Sequence, residues 1–282
     1  MDRLVISLAT NVGWEYVRPW VCSLRRSGYS NPVVLVTAQC EDDLYEQCTR
    51  WDVTTIEVSA EDLDTRHLSD PVISRHAVLR RVIEERFAAH FVLSCDVRDI
   101  VFQTDPFEYF GPDLRAADPD KLYVVSEEIV FDQDESANGR WGGVKTMQLF
   151  SSREREELRG KPSYNAGILC GAAPLLAGVM KMIYLLCFNS TVEVVDQAAL
   201  NTMLQTEPYR SHFVGVGLEE GWAVHFAAMN LVQPLRPEIT PKIEDGLVKT
   251  PDGKVFSILH QYDRSAPLKR LVRERLKDWD PR

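Results

Sequence analysis

Residues His90 to Phe107 read HFVLSCDVRDIVFQTDPF, and the fold is decided by how this stretch is read. Phe91, Val92 and Leu93 form an unbroken apolar run, the pattern of a strand buried on both faces of an α/β sheet. Asp96 stands just past its end, where ligands bind in such sheets. Residues three apart on an extended strand point to opposite faces, so Asp96 and Asp99 can share one cation only if the chain turns between them. Together with phosphate oxygens, two carboxylates suit Mg²⁺ or Mn²⁺. The plainer reading is a surface ion-pair cluster in which both aspartates flank Arg98.

Composition narrows the class. A chain of 282 residues with 45% hydrophobic content can bury a proper core. A formal net charge of −10 argues against nucleic acid as a partner, because a basic stripe is needed to displace counterions. No run of 18 apolar residues suggests a membrane span, and the start MDRLVISLAT lacks the pattern of a signal peptide. A soluble, cytoplasmic protein is expected. Cys22, Cys40, Cys48, Cys95, Cys170 and Cys187 lie in or beside apolar segments without a CxxC pair, which fits buried free thiols in a reducing compartment.

In chain order, Leu4–Leu8 reads as a strand running into Ala9-Thr10-Asn11, small and polar residues that allow close approach of a nucleotide. A helix over 14–26, a strand over 33–37, a helix over 41–51 and a strand over 54–58 follow, an alternation that implies a parallel sheet. Ser74–Phe87 is an amphipathic helix bearing Arg75, Arg80, Arg81 and Arg86, whose guanidinium forks match phosphate oxygens. The strand 122–126 ends in Glu127-Glu128, where a carboxylate can hold a sugar hydroxyl or act as a base. Residues 132–161 read as a long loop over the site, with Trp141 as an aromatic platform. Asn165-Ala166-Gly167 precedes a short strand over 168–170. A buried helix is expected over 173–188, and another over 192–204 carries Asp196 and Gln197 in its first half. Strands over 213–216 and 255–259 are the last, the second delivering His260, an imidazole suited to a carboxylate-rich Mn²⁺ site. Residues 267–279 form a basic amphipathic helix that packs on the domain, with peripheral membrane contact a secondary reading.

Four motifs in order, CDVRDIVFQTDPF, YNAG, DQAALN and HQYDR, resemble the GT-A fold glycosyltransferases, in particular the glycogenin-like and galactosyltransferase-like family 8 and its relatives. The resemblance runs from residue 4 to about 264. It implies one α/β domain with a Rossmann-like, mixed but mainly parallel sheet flanked by helices. Residues 1–126 would be its nucleotide-binding half, 127–264 its acceptor and donor-sugar half, and 265–282 a C-terminal helix. It implies Mn²⁺ or Mg²⁺ held by Asp96, Asp99 and His260. Donor contacts would fall on Ala9, Thr10, Asn11, Arg75 or Arg80, Val97, Arg98, Asn165, Ala166, Gly167 and Arg264, with Asp196, Gln197 and Glu127 as catalytic candidates. Two departures stand out: Arg98 occupies the second position of the usual D-x-D, and the lysine-containing glycine motif after the late histidine is absent.

The activity implied is metal-dependent transfer from a nucleotide sugar, a UDP-sugar above all, to a glycan, glycolipid or glycoprotein acceptor, with retention rather than inversion. Inversion would require Asp196 or Glu127 to deprotonate the acceptor. The alternative is a catalytically silent nucleotide- or sugar-binding protein on the same fold, suggested by Arg98. A haloacid-dehalogenase-like phosphatase is disfavoured, because Cys95-Asp96-Val97-Arg98 lacks the second aspartate of that nucleophile motif.

Overall fold

The computed structural model describes residues 2–59, 62–63, 71–111, 118–131, 144–192 and 194–277. Strand β1 (Arg3–Thr10), helix α1 (Trp14–Arg26), β2 (Val33–Ala38), α2 (Asp42–Arg50), β3 (Thr54–Glu57), α3 (Pro71–Arg86) and β4 (Phe91–Cys95) build the first half. β1 alternates between two cores: Val5 joins the cluster under α1 and α2, while Leu4 and Ile6 join the one under α3. Burial on both faces accounts for the continuous apolar runs in this half.

After β4 the chain turns at 97–99 and re-enters a strand as β5 (Ile100–Phe102). This is the turn that a shared ligand for Asp96 and Asp99 requires. Then come β6 (Leu122–Val130), α4 (Ser152–Leu158), β7 (Pro162–Ala172), α5 (Ala173–Cys187), α6 (Asp196–Leu204) and β8 (Phe213–Val216). The main sheet has the order β3-β2-β1-β4-β7-β6-β8, with β7 antiparallel to both neighbours and every other pairing parallel.

A second sheet is short and decisive. β9 (Ala223–His225) leads into α7 (Phe226–Leu235), the hairpin β10 (Lys242–Glu244) and β11 (Leu247–Lys249) follows, and β12 (Ile258–His260) pairs with both β9 and β5. The register sets His260 opposite Ile100 on one side and His225 on the other, and the Gln261 N–H donates to the Asp99 carbonyl at 2.7 Å. The final helix α8 (Ala266–Lys277) covers this sheet with Leu268 and Val272.

Several boundaries differ from the sequence reading. The region 132–161 is not one long loop: residues 144–149 are helical and α4 follows, while 132–143, including Trp141, lie outside the described residues. β7 begins at Pro162 rather than Ile168, because Ser163 and Asn165 are buried strand residues with polar partners. α6 starts at Asp196, so Asp196 and Gln197 form its first turn. Strand β9 and helix α7 were not expected at all.

Gly215 on β8 lies against Tyr164: a Cβ there would come within 2.4 Å of that ring. Gly215→Ala is therefore expected to cost about 1–3 kcal/mol through overpacking. In denaturant melts, the double variant with Tyr164→Ala should cost no more than Tyr164→Ala alone.

Candidate functional site

The carboxyl ends of β1 and β4, the start of α6 and the ends of β9 and β12 converge on two adjoining cavities. The smaller, about 350 Å³, is walled by Ala9, Thr10, Val97, Arg98 and Asp99, with His76 and Leu79 from α3. The larger, about 630 Å³, reaches Glu127, Asn165, Asp196, Gln197, His225, His260 and Arg264. Val72, Arg75, Asp96, Ala166 and Gly167 line both.

Arg75 is the cation at this junction. Its guanidinium pairs with Asp96 Oδ1, donates to Asp196 Oδ2 at 2.8 Å and to the Ala166 carbonyl at 3.1 Å. Asp196, 2% exposed, also faces His76 Nε2 at 3.3 Å. Burial alone would push the Asp96 and Asp196 carboxyls up. Arg75, helped by His260 at Asp96 and by His76 at Asp196, holds both below the ordinary carboxylate range.

Beside this pair, Asp96, Asp99 and His260 bring one ligand atom each within 4.8 Å of one another. His260 Nε2 lies 3.3 Å from Asp96 Oδ2 and 3.5 Å from Asp99 Oδ1. Among the described residues, neither Asp99 Oδ1 nor either ring nitrogen of His260 has a hydrogen-bond partner, although all are buried. Orphaned buried polar atoms of this kind call for a ligand. Gly167 keeps the space open: a Cβ there would stand 2.6 Å from both Asp96 Oδ2 and His260 Cε1. Two carboxylates and an imidazole around such a space fit Mn²⁺ or Mg²⁺. Burial, then the Asp96 and Asp263 carboxylates, raises the Asp99 carboxyl against the pull of His260.

Deeper in the larger cavity is Glu127, 1% exposed. It does not close a strand, because β6 continues to Val130. Its Oε2 accepts from Ser163 Oγ at 2.7 Å and Gln197 Nε2 at 3.0 Å. Its Oε1 accepts from Asn165 Nδ2 at 3.1 Å and lies 3.2 Å from His225 Nδ1. Burial opposes the charge, but His225, Ser163 and Asn165 outweigh it and bring the carboxyl down to about 2. The His225 ring lies against His260, centroids 4.8 Å apart.

The other expected contacts divide. Arg98 is exposed over the Tyr16 ring at 5.4 Å and lines the smaller cavity; Arg264 is exposed on the larger. Arg80 is a correction: it pairs with Glu84 along α3 and lines neither cavity, one turn too far from the sheet edge. Asn11 also lines neither; it is exposed, in a left-handed conformation with φ 52°. His225, Ser163 and His76 escaped the sequence reading. For His225 a signal existed, since Ala-Val-His repeats the pattern of Ile-Leu-His at 258–260.

The depressed Glu127 carboxyl gives a pH dependence with a definite sign. A group whose pKa falls from 4.5 to about 2 on folding stabilises the fold above its unfolded value and loses that contribution as pH drops through the folded one. Glu127→Gln should thus cost about 3 kcal/mol at pH 7. The gap to wild type should narrow below pH 4.5 in pH-dependent urea melts.

No protein-family model and no curated protein sequence matches the chain. Among solved structures, the galactosyltransferase LgtC, crystallised in complex with donor and acceptor sugar analogs, is similar over 98% of this chain and 94% of its own, with a TM-score of 0.57 and 13% identity. At that identity the likeness speaks for the fold. Among the described residues no helix is long and apolar enough to cross a membrane. With its mainly parallel seven-stranded sheet flanked by helices, the chain has the GT-A glycosyltransferase fold.

Proposed function

We propose that this chain is a metal-dependent glycosyltransferase that moves a sugar from a nucleotide-diphosphate donor, a UDP-sugar, to a carbohydrate-containing acceptor. The observation that carries this reading is the cation-competent trio Asp96, Asp99 and His260 at the junction of two cavities. A nucleotide suits the smaller cavity, at the carboxyl ends of β1 and β4. The sugar and acceptor suit the larger one, whose walls carry convergent polar groups.

A divalent cation bound by the trio supplies neutralisation of the diphosphate charge that develops as the anomeric C–O bond breaks. Arg98 and Arg264, without carboxylate partners among the described residues, add guanidinium donors for phosphate oxygens from either cavity. Asn165, Gln197 and Asp196 line the sugar. Asp196 is held between Arg75 and His76, and both oxygens of Glu127 already have partners. Neither is free to take an acceptor proton, which favours retention of configuration over inversion.

One observation favours a second reading. Arg98 stands where a second carboxylate is usual, and Arg75 occupies one oxygen of Asp96, so a nucleotide-sugar-binding protein without turnover fits the same site. Binding with no sugar release or transfer would identify it.

Thermal shift with UDP-, GDP- and CMP-sugars, in Mn²⁺ or chelator, tests the assignment. A UDP-sugar at a hundredfold excess over its Kd should stabilise wild type by about 2.7 kcal/mol, and only with metal. Asp96→Ala should lose that response. Gly167→Ala should lose it too, at a cost of about 1–3 kcal/mol in stability, because the added methyl would stand 2.6 Å from Asp96 Oδ2 and His260 Cε1 and displace them. Absence of any metal-dependent response to every nucleotide sugar would overturn the proposal.

A further inference from the structure

Glu127 has an environment that general-base chemistry does not account for. Its carboxylate is buried in contact with four side chains from three elements: Ser163 and Asn165 on β7, Gln197 on α6 and His225 on β9. A carboxylate offers about four acceptor positions; Ser163, Gln197 and Asn165 donate to three of them, and the His225 ring stands 3.2 Å from Oε1. What remains is the effect of the carboxylate on its neighbours.

That effect is clearest at Gln197. An ionised carboxylate only accepts hydrogen bonds, so the end of the Gln197 amide that meets Glu127 must be the NH₂. The orientation of this amide therefore follows from chemistry. The opposite end, Oε1, has no protein donor among the described residues, and Gln197 lines the larger cavity. Asn165 is oriented in the same way: Nδ2 goes to Glu127, while Oδ1 accepts the Gly167 N–H at 2.7 Å. Asn201 then fixes the base of the array by donating to the carbonyls of Tyr164 and Gln197, both at 2.8 Å.

We propose that Glu127 is a positioning residue that sets the hydrogen-bond polarity of the sugar pocket: by taking the amino end of Gln197 it turns the carbonyl to the cavity. The pocket then selects a donor sugar whose facing group is itself a hydrogen-bond donor, a hydroxyl or an amide N–H. This deepens the glycosyltransferase reading and rests on it. A carboxamide at position 127 can donate as well as accept, so Glu127→Gln frees Gln197 to rotate and present its NH₂ instead. A buried polar pair of wrong polarity loses more than a missing contact would.

The test compares wild type, Glu127→Gln, Gln197→Met and the double variant, with Mn²⁺ and three probes: UDP, UDP-galactose and UDP-glucose. Titration calorimetry should find UDP affinity unchanged within about twofold in all four, because the nucleotide does not reach Gln197. The preference for UDP-sugar over UDP should fall about tenfold in each single variant, with no further fall in the double. Full preference in Glu127→Gln, or additive losses, would overturn the proposal. A second measurement needs no ligand and no destabilised variant. In ¹⁵N spectra of the wild-type chain the Gln197 side-chain NH₂, identified by its loss in Gln197→Met, should be protected from exchange with water; free exchange would overturn the clamp. If neither UDP-sugar binds, the glycosyltransferase reading and the sugar selection fail together, and a protected NH₂ would then show that the fault lies in the ligand class, not in the clamp.

Discussion

Two carboxylates from distant parts of the chain, Asp96 after β4 and Asp196 at the start of α6, are brought together in the interior by one guanidinium. Without Arg75 they would repel, and the buried Asp196 carboxylate would lose its main counter-charge, about 3–5 kcal/mol for breaking such a pair. With it, the start of α6, the end of β4 and the Ala166 carbonyl of β7 share one fixed point. Both cavities are built around that point. Arginine suits the task better than lysine, because its planar fork reaches two carboxylates and a carbonyl in defined directions.

The site has a layered electrostatic design. Arg75 compensates Asp96 and Asp196, and the Glu127 array compensates itself with neutral donors and His225. Asp99 is left least satisfied, with its carboxyl raised and an oxygen without a partner. Unsatisfied charge is thereby concentrated where a cation is expected, while the surrounding carboxylates are locked in one geometry. This is how a binding site can be costly locally without loosening the fold around it.

Where burial on both faces imposes continuous apolar runs, the sequence was readable: β1, β2 and β4 follow from them, their parallel pairing follows from the alternation of strands and helices, and α1 follows from Val17, Trp20, Val21 and Leu24 on one face. The turn between Asp96 and Asp99 follows from strand geometry once the two carboxylates are read as sharing one cation. What escaped was polarity satisfied at long range. Ser163 and Asn165 look like loop residues until Glu127, 36 and 38 positions away, supplies their partner. Glu127-Glu128 likewise looked like the end of a strand, yet Glu127 is buried among donors and Glu128 pairs with Arg236. β9 is three residues long and gives no periodic signal. Its significance comes only from lying beside β12.

The small sheet has a mechanical role as well. Asp96 and Asp99 belong to the segment leaving the large sheet, whereas His260 is carried by β12, which meets that segment by pairing with β5 and through the Gln261 N–H bond to the Asp99 carbonyl. An ion held by all three is thus also a cross-link closing a very long loop, and it would tie the later part of the chain to the first half much as a staple does. Loading such a site would stiffen the link between the two sheets, and the small sheet and α8 behind it would be the region whose local opening reports whether the centre is filled.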